Sequence, residues 1–176
     1  LPPDANIGNS GIMTVYEDRA GVLWLGTWGG GLIKFDPEAN TATVYRIAPD
    51  SPQTWSANVV MTIYETPSGE FWVGTFSEGL ARFDRDTGQF IRYQHDPDDP
   101  SSLSHDLILA IYEAPAGTLW IGTGGGGLDK FDRNAGRFGA FGHVQDGGDL
   151  RDADAGDDPR GTNRTGADAN LDGIRA

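Results

Sequence analysis

The tetrapeptide Trp24-Leu25-Gly26-Thr27 returns as Trp72-Val73-Gly74-Thr75 and again as Trp120-Ile121-Gly122-Thr123, each time 48 residues further along the chain. Such a period constrains the fold more than any single motif, because each unit must be one supersecondary element that buries its apolar face by stacking on its copies. The same register holds Tyr16, Tyr64 and Tyr112, then Glu17, Glu65 and Glu113, then Gly21, Gly69 and Gly117. It continues through Gly31, Gly79 and Gly127 to the pairs Phe35-Asp36, Phe83-Asp84 and Phe131-Asp132. No stretch has helical period. Short runs of β-branched and aromatic residues between turn residues predict four strands per unit, in the first about Met13 to Glu17, Leu23 to Thr27, Leu32 to Asp36 and Thr43 to Ile47. Four antiparallel strands per unit predict an all-β chain of β-propeller blades.

The three blades are expected at about 1–48, 49–96 and 97–144, together forming one repeat domain over 1–144. A fourth Trp would fall at position 168, where the chain has Asp168. From Gln145 to Ala176 there is no aromatic residue, and 8 Asp stand against 4 Arg. A segment so poor in apolar side chains cannot offset its ordering entropy, so residues 145–176 read as an acidic, low-complexity, disordered tail. Closed propellers use about 4 to 8 blades. Three make an incomplete ring with open strand edges, a condition natural sheets avoid, so further blades are expected from a longer chain or from another copy.

Charge and composition remove several function classes. With 26 acidic and 13 basic residues the net charge is -13, a surface that repels phosphate and argues against nucleic acid. The absence of cysteine excludes disulfides, thiolate metal sites and cysteine nucleophiles. No apolar run approaches the roughly 18 residues of a membrane span, and no signal-peptide pattern is visible.

The units resemble the two-component regulator propeller repeat of bacterial hybrid histidine kinase sensor regions. The resemblance rests on Ile63-Tyr64-Glu65, Trp72-Val73-Gly74-Thr75, Gly79-Leu80, Phe83-Asp84 and the run Tyr93-Gln94-His95-Asp96-Pro97 leading to Ser102-Leu103-Ser104-His105-Asp106. It implies a periplasmic or extracellular sensor module and, as partners, the remaining blades and signalling domains of a longer chain. Any kinase activity would lie outside this chain.

Motifs suggestive of chemistry have better structural readings. Ser104-His105-Asp106 has the letters of a hydrolase triad, but neighbours in sequence cannot converge as a triad must. Gly122, Gly124 and Gly127 satisfy G-x-G-x-x-G, yet a strand follows where the dinucleotide fingerprint needs a helix. His95 and His143 are 48 residues apart and so sit at equal points of different blades, and His105 is out of that register. Asp36, Asp84 and Asp132 recur in every unit and read as turn residues. Trp24, Trp72 and Trp120 read as packing between blades. Asp168-Ala169-Asn170-Leu171-Asp172-Gly173 matches the first half of a calcium loop but ends before its bidentate acid. No catalytic set and no cofactor is expected, and Asp168, Asn170 and Asp172 are only a fragment of a metal site.

Loops after each second strand and loops entering each blade should share one face. They carry Trp28, Trp55, Asn58, Phe76, Glu78, His105 and Asp106, which differ between units whose strands hardly change. Variable loops on a constant scaffold suit recognition, and Trp and Phe beside polar groups suit stacking on an oligosaccharide. The expected function is therefore non-catalytic ligand sensing, with a protein-binding or structural propeller, or a propeller lyase or hydrolase, as alternatives.

Overall fold

The computed structural model describes residues 11–49, 55–115 and 117–141. It contains three four-stranded antiparallel sheets, each built from strands in chain order. Blade 1 comprises β1 (Ile12–Glu17), β2 (Leu23–Thr27), β3 (Leu32–Asp36) and β4 (Thr41–Tyr45). Blade 2 comprises β5 (Val60–Glu65), β6 (Phe71–Thr75), β7 (Leu80–Asp84) and β8 (Gln89–Tyr93). Blade 3 comprises β9 (Ile108–Glu113), β10 (Leu119–Thr123), β11 (Gly127–Asp132) and β12 (Arg137–Phe141). The three described blades do not close a ring. The expected tail at 145–176, with Asp168, Asn170 and Asp172, lies outside the described residues, as does His143.

Strand β4, at Thr41–Tyr45, begins and ends two residues before the expected Thr43 to Ile47. Pairing of β3 with β4 ends at Leu32 opposite Tyr45. Two residues on, the Ile47 N–H leaves the ladder and donates to Asn58 Oδ1 at 3.0 Å. Asn58 stands at the entry to blade 2, so the tertiary bond ends the strand.

Blades stack through the second-strand glycines. A Cβ on Gly26 would lie 2.6 Å from Val60 Cγ1 of the next blade, and one on Gly74 would lie 2.7 Å from Ile108 Cγ2. The inner strands β1, β5 and β9 therefore lie beside one another in succession. Around this contact Trp24 and Leu32 pack on Phe71, Val73 and Phe83. One blade further, Trp72 and Leu80 pack on Leu119, Ile121 and Phe131. Trp24 and Trp72 thus hold the predicted core positions. Trp120, their counterpart in blade 3, is only half-buried because no described blade covers its face.

Polar contacts lock the opposite end of the blades. Arg85 reaches Glu65 Oε1 of its own blade at 3.0 Å and Asp18 Oδ2 of blade 1 at 3.4 Å, and both carboxylates are almost fully buried. Tyr16 donates its hydroxyl to Glu65 Oε2 at 3.2 Å. Burial alone would raise the pKa of Asp18. Hydrogen bonds from the Trp24 indole and the Val22 and Ala20 amides, with the Arg85 charge, outweigh it and hold the carboxyl below its ordinary value. As predicted, the recurrent Asp residues close turns: Asp36, Asp84 and Asp132 each accept two amides of the following turn through Oδ1. Thr27, Thr75 and Thr123 donate to the carbonyls of Gly31, Gly79 and Gly127.

Gly74→Ala is expected to destabilise the protein by about 1–3 kcal/mol through overpacking against Ile108 and Thr62. Gly139→Ala, where a Cβ meets nothing within 4 Å, should cost nothing in the same urea unfolding experiment. Arg85→Ala leaves two buried carboxylates without their cation and should cost about 3 kcal/mol, read by the same method.

Candidate functional site

The loops after β2, β6 and β10 fold back onto the starts of the inner strands. Trp28 N donates to Gly11 O at 2.9 Å, Phe76 N to Val59 O at 3.1 Å, and Gly124 N to Leu107 O at 2.8 Å. This brings the second-strand loops and the blade entries to one end of the sheets. Successive blades are tied there by the Gly31 N–H, which donates to Asn58 O at 2.9 Å, and the Gly79 N–H, which donates to Asp106 O at 3.1 Å. Both glycines have positive φ, 90° and 71°, a conformation that side chains disfavour.

Three of the predicted residues form one cluster. The rings of Trp28 and Trp55 stack with centroids 5.4 Å apart at 27°. Phe76 completes the group at 5.8 Å from Trp28 and 6.1 Å from Trp55. Trp55 is 55% exposed and Trp28 41%. Gly29 sits beside the Trp55 backbone, within 3.5 Å of where its Cβ would be. The repeat provides an internal comparison: the residue equivalent to Trp55 in blade 3 is Leu103, which is fully buried. At the same point of the repeat, one blade turns an indole outward and the next tucks an aliphatic chain inside.

The remaining predicted residues are engaged in other ways. Glu78 accepts from Arg92 at 2.7 Å and Gln94 at 3.4 Å. His105 is exposed beside Gly125, and its Nδ1 accepts the Leu107 N–H at 2.9 Å. Asp106 Oδ1 accepts the His95 N–H at 2.7 Å, repeating in blade 3 the bond that Asn58 makes to Ile47. Asn58 is 1% exposed. Against the expectation of ligand contact, its side chain is buried and its Oδ1 joins two blades through the Ile47 N–H. His95 Nδ1 donates to Leu103 O at 2.7 Å. Among the described residues no group of three or more acidic or histidine side chains is placed to hold a metal ion.

Asp129 was missed. It stands where the other blades have Ile33 and Ala81, an acid at an apolar point of the register, and that departure was the available signal. It is fully buried. Its Oδ2 accepts the Ser104 N–H at 2.9 Å and the Ser104 hydroxyl at 2.8 Å, while Oδ1 has no partner. Desolvation raises its pKa, partly opposed by the Ser104 bonds and by His95.

The geometry defines the class: β-propeller blades with an exposed aromatic cluster on one loop face. Residues 6–29, 54–77 and 102–125 each match the family described as two component regulator propeller, and the chain carries three copies of that repeat. Among solved structures it is similar to the extracellular domain of the hybrid two component system BT3049 from B. thetaiotaomicron, with 28% identity and a TM-score of 0.62 over 72% of this chain and 18% of that one. The extracellular domain of the one component system BT4673 from the same organism is 31% identical, with a TM-score of 0.58 over 73% of this chain and 18% of that one. Virginiamycin B lyase from Staphylococcus aureus shares the fold at 19% identity and a TM-score of 0.53, over 73% of this chain and 40% of that one. The chain therefore spans about a fifth of the length of the two sensor structures. No curated protein matches it. Among the described residues no helix is long and apolar enough to cross a membrane.

A carboxyl whose folded pKa exceeds the ordinary value of 3.8 favours the folded state below that value and loses that contribution as pH rises through the folded pKa. Asp129→Asn keeps an acceptor for Ser104 without the charge. Its melting temperature should exceed that of the parent at pH 7, and the gap should shrink as pH falls toward 4, read by thermal melts across that range.

Proposed function

We propose that these blades form a non-catalytic ligand-sensing module of a bacterial two-component signalling protein, lying outside the cytoplasm as part of a larger propeller. The observation that carries the reading is the cluster of exposed Trp28 and Trp55 with half-buried Phe76, built from residues that depart from the repeat outside the strands. The family match and the similarity to extracellular domains of sensor systems support the signalling context.

An oligosaccharide is the ligand class we infer. Stacked indoles offer a broad, rigid, apolar face at little entropic cost, and their N–H groups can donate where they reach solvent. Glu78, two residues beyond Phe76, would add a carboxylate able to accept ligand hydroxyls in addition to its pair with Arg92. Asp18, Asp36, Asp84, Asp106, Asp132 and Glu65 are committed to turns, blade junctions or ion pairs, which supports binding without turnover. Binding at the loop face would then act on the attached signalling domains by shifting how the blades sit against their neighbours.

Glycan-array screening followed by calorimetry tests this. Saturable binding without product formation is expected, and Trp55→Ala should weaken it at least about tenfold, as for an aromatic anchor at an interface, while the melting temperature stays within a few degrees. Turnover of the bound glycan would move the protein to the enzyme reading. Affinity for a protein partner alone, unaffected by Trp55→Ala, would support a protein-binding propeller.

A further inference from the structure

The two blade junctions hold the incoming chain differently. At the first, Ile47 and Ala81 pack in one apolar cluster, and the entry to blade 2 winds into a 3-10 turn at Trp55–Asn58, with Val59 N donating to Ser56 O at 3.2 Å. The same points of the second junction carry His95 and Asp129. Both grip the entry to blade 3, at consecutive residues. His95 Nδ1 donates to Leu103 O at 2.7 Å, and Asp129 Oδ2 accepts the Ser104 N–H at 2.9 Å and the Ser104 hydroxyl at 2.8 Å. No helical turn forms there. Leu107 N donates to His105 Nδ1 at 2.9 Å, whereas its counterpart Val59 reaches the serine carbonyl. Leu103 is fully buried where Trp55 is exposed.

The grip is short of one proton. Ser104 gives its hydroxyl proton to Asp129, and Thr123 gives its own to Gly127 O at 3.1 Å, so the Ser104 and Thr123 oxygens face each other at 3.2 Å with no proton between them. Asp129 Oδ1 is buried and meets no donor. Beside Asp129 in the sheet stand Ile121 and Ala140, which carry no charge. The ionisable side chain that acts on it from the segments packed around it is His95. A proton on Asp129 would remove the buried charge and donate to Ser104 Oγ, freeing the serine proton for Thr123 Oγ1. The neutral carboxyl therefore satisfies the junction more completely than the carboxylate does.

We propose that Asp129 and His95 form a proton-dependent latch on the entry to blade 3: protonated Asp129 holds residues 103–106 in place, and its ionisation releases them toward the turn seen at the entry to blade 2. The segment carries His105 and Asp106 on the loop face, and Asp106 accepts the His95 N–H at 2.7 Å through Oδ1 and the Gly79 N–H at 3.1 Å through its carbonyl. Opening lets water reach the carboxylate and returns it to the ordinary value of 3.8, below that of the buried form. The closed form is thus favoured at low pH and loses that advantage as pH rises through the raised value. Protonation of the His95 ring would stabilise the carboxylate in place and oppose release. The latch does not depend on what the loop face binds.

Hydrogen exchange of the Ser104 amide in the 176-residue chain, corrected for the intrinsic pH dependence of exchange, tests the proposal. Its opening constant should exceed that of Val73 in the core of blade 2. It should rise from about pH 4 upward by as much as about tenfold per pH unit, the limit for one proton, before levelling off. Asp129→Asn should keep Ser104 protected and remove the pH dependence. Asp129→Ala, which installs the residue that blade 2 carries at this point, should lower the protection at every pH. A Ser104 opening constant that stays flat across the range overturns the proposal. So does a pH dependence that survives Asp129→Asn, or an amide that opens only together with Val73.

Discussion

The stack depends on the absence of a side chain at Gly26 and Gly74. A methyl group at either point would sit well inside contact distance of Val60 or Ile108, and the inner strands would have to separate. Close approach of those strands lets Trp24 and Trp72 span the gap between sheets and cover the aromatic rings of the following blade. Each blade alone is a twisted sheet with two apolar faces, which cannot be stable without neighbours. The glycine and the tryptophan are thus two halves of one device, the first admitting the neighbour and the second sealing the contact.

On that scaffold the informative positions are those where one blade breaks the register. Trp55 replaces what is Leu103 one repeat later and turns outward into a cluster with Trp28 and Phe76. Asp129 replaces Ile33 and Ala81 and turns inward, where it organises the entry of blade 3 through Ser104. The two departures have opposite physical consequences. An exposed indole adds surface that a ligand can cover, whereas a buried acid with one unpartnered oxygen costs stability unless it stays protonated.

Strands β2 and β3 were legible to the residue because their limits are local: glycine and aspartate turns bound them on both sides. Strand β4 was not, since its end is set by Asn58 taking the Ile47 amide across the boundary between blades. The same bond explains why Asn58 resembled a site residue. It is polar, it lies in a loop and it differs from its counterpart, but the counterpart Asp106 performs the same bond with a carboxylate. A change of residue type with conservation of geometry cannot be told from a change of function until the partner atom is seen. The Arg85 bridge to Asp18 was likewise invisible, because its members are 67 residues apart and belong to different repeats.

By itself the sequence determined the repeat, its period, the four strands in each unit and the residues that face the neighbouring blade. These follow from spacing, which records which side chains share a face of a strand. Only the tertiary structure decided which loop residues meet and which are spent on the scaffold. It drew Trp28, Trp55 and Phe76 together while burying Asn58. Those outcomes depend on distances between atoms far apart in the chain, and periodicity carries no information about them.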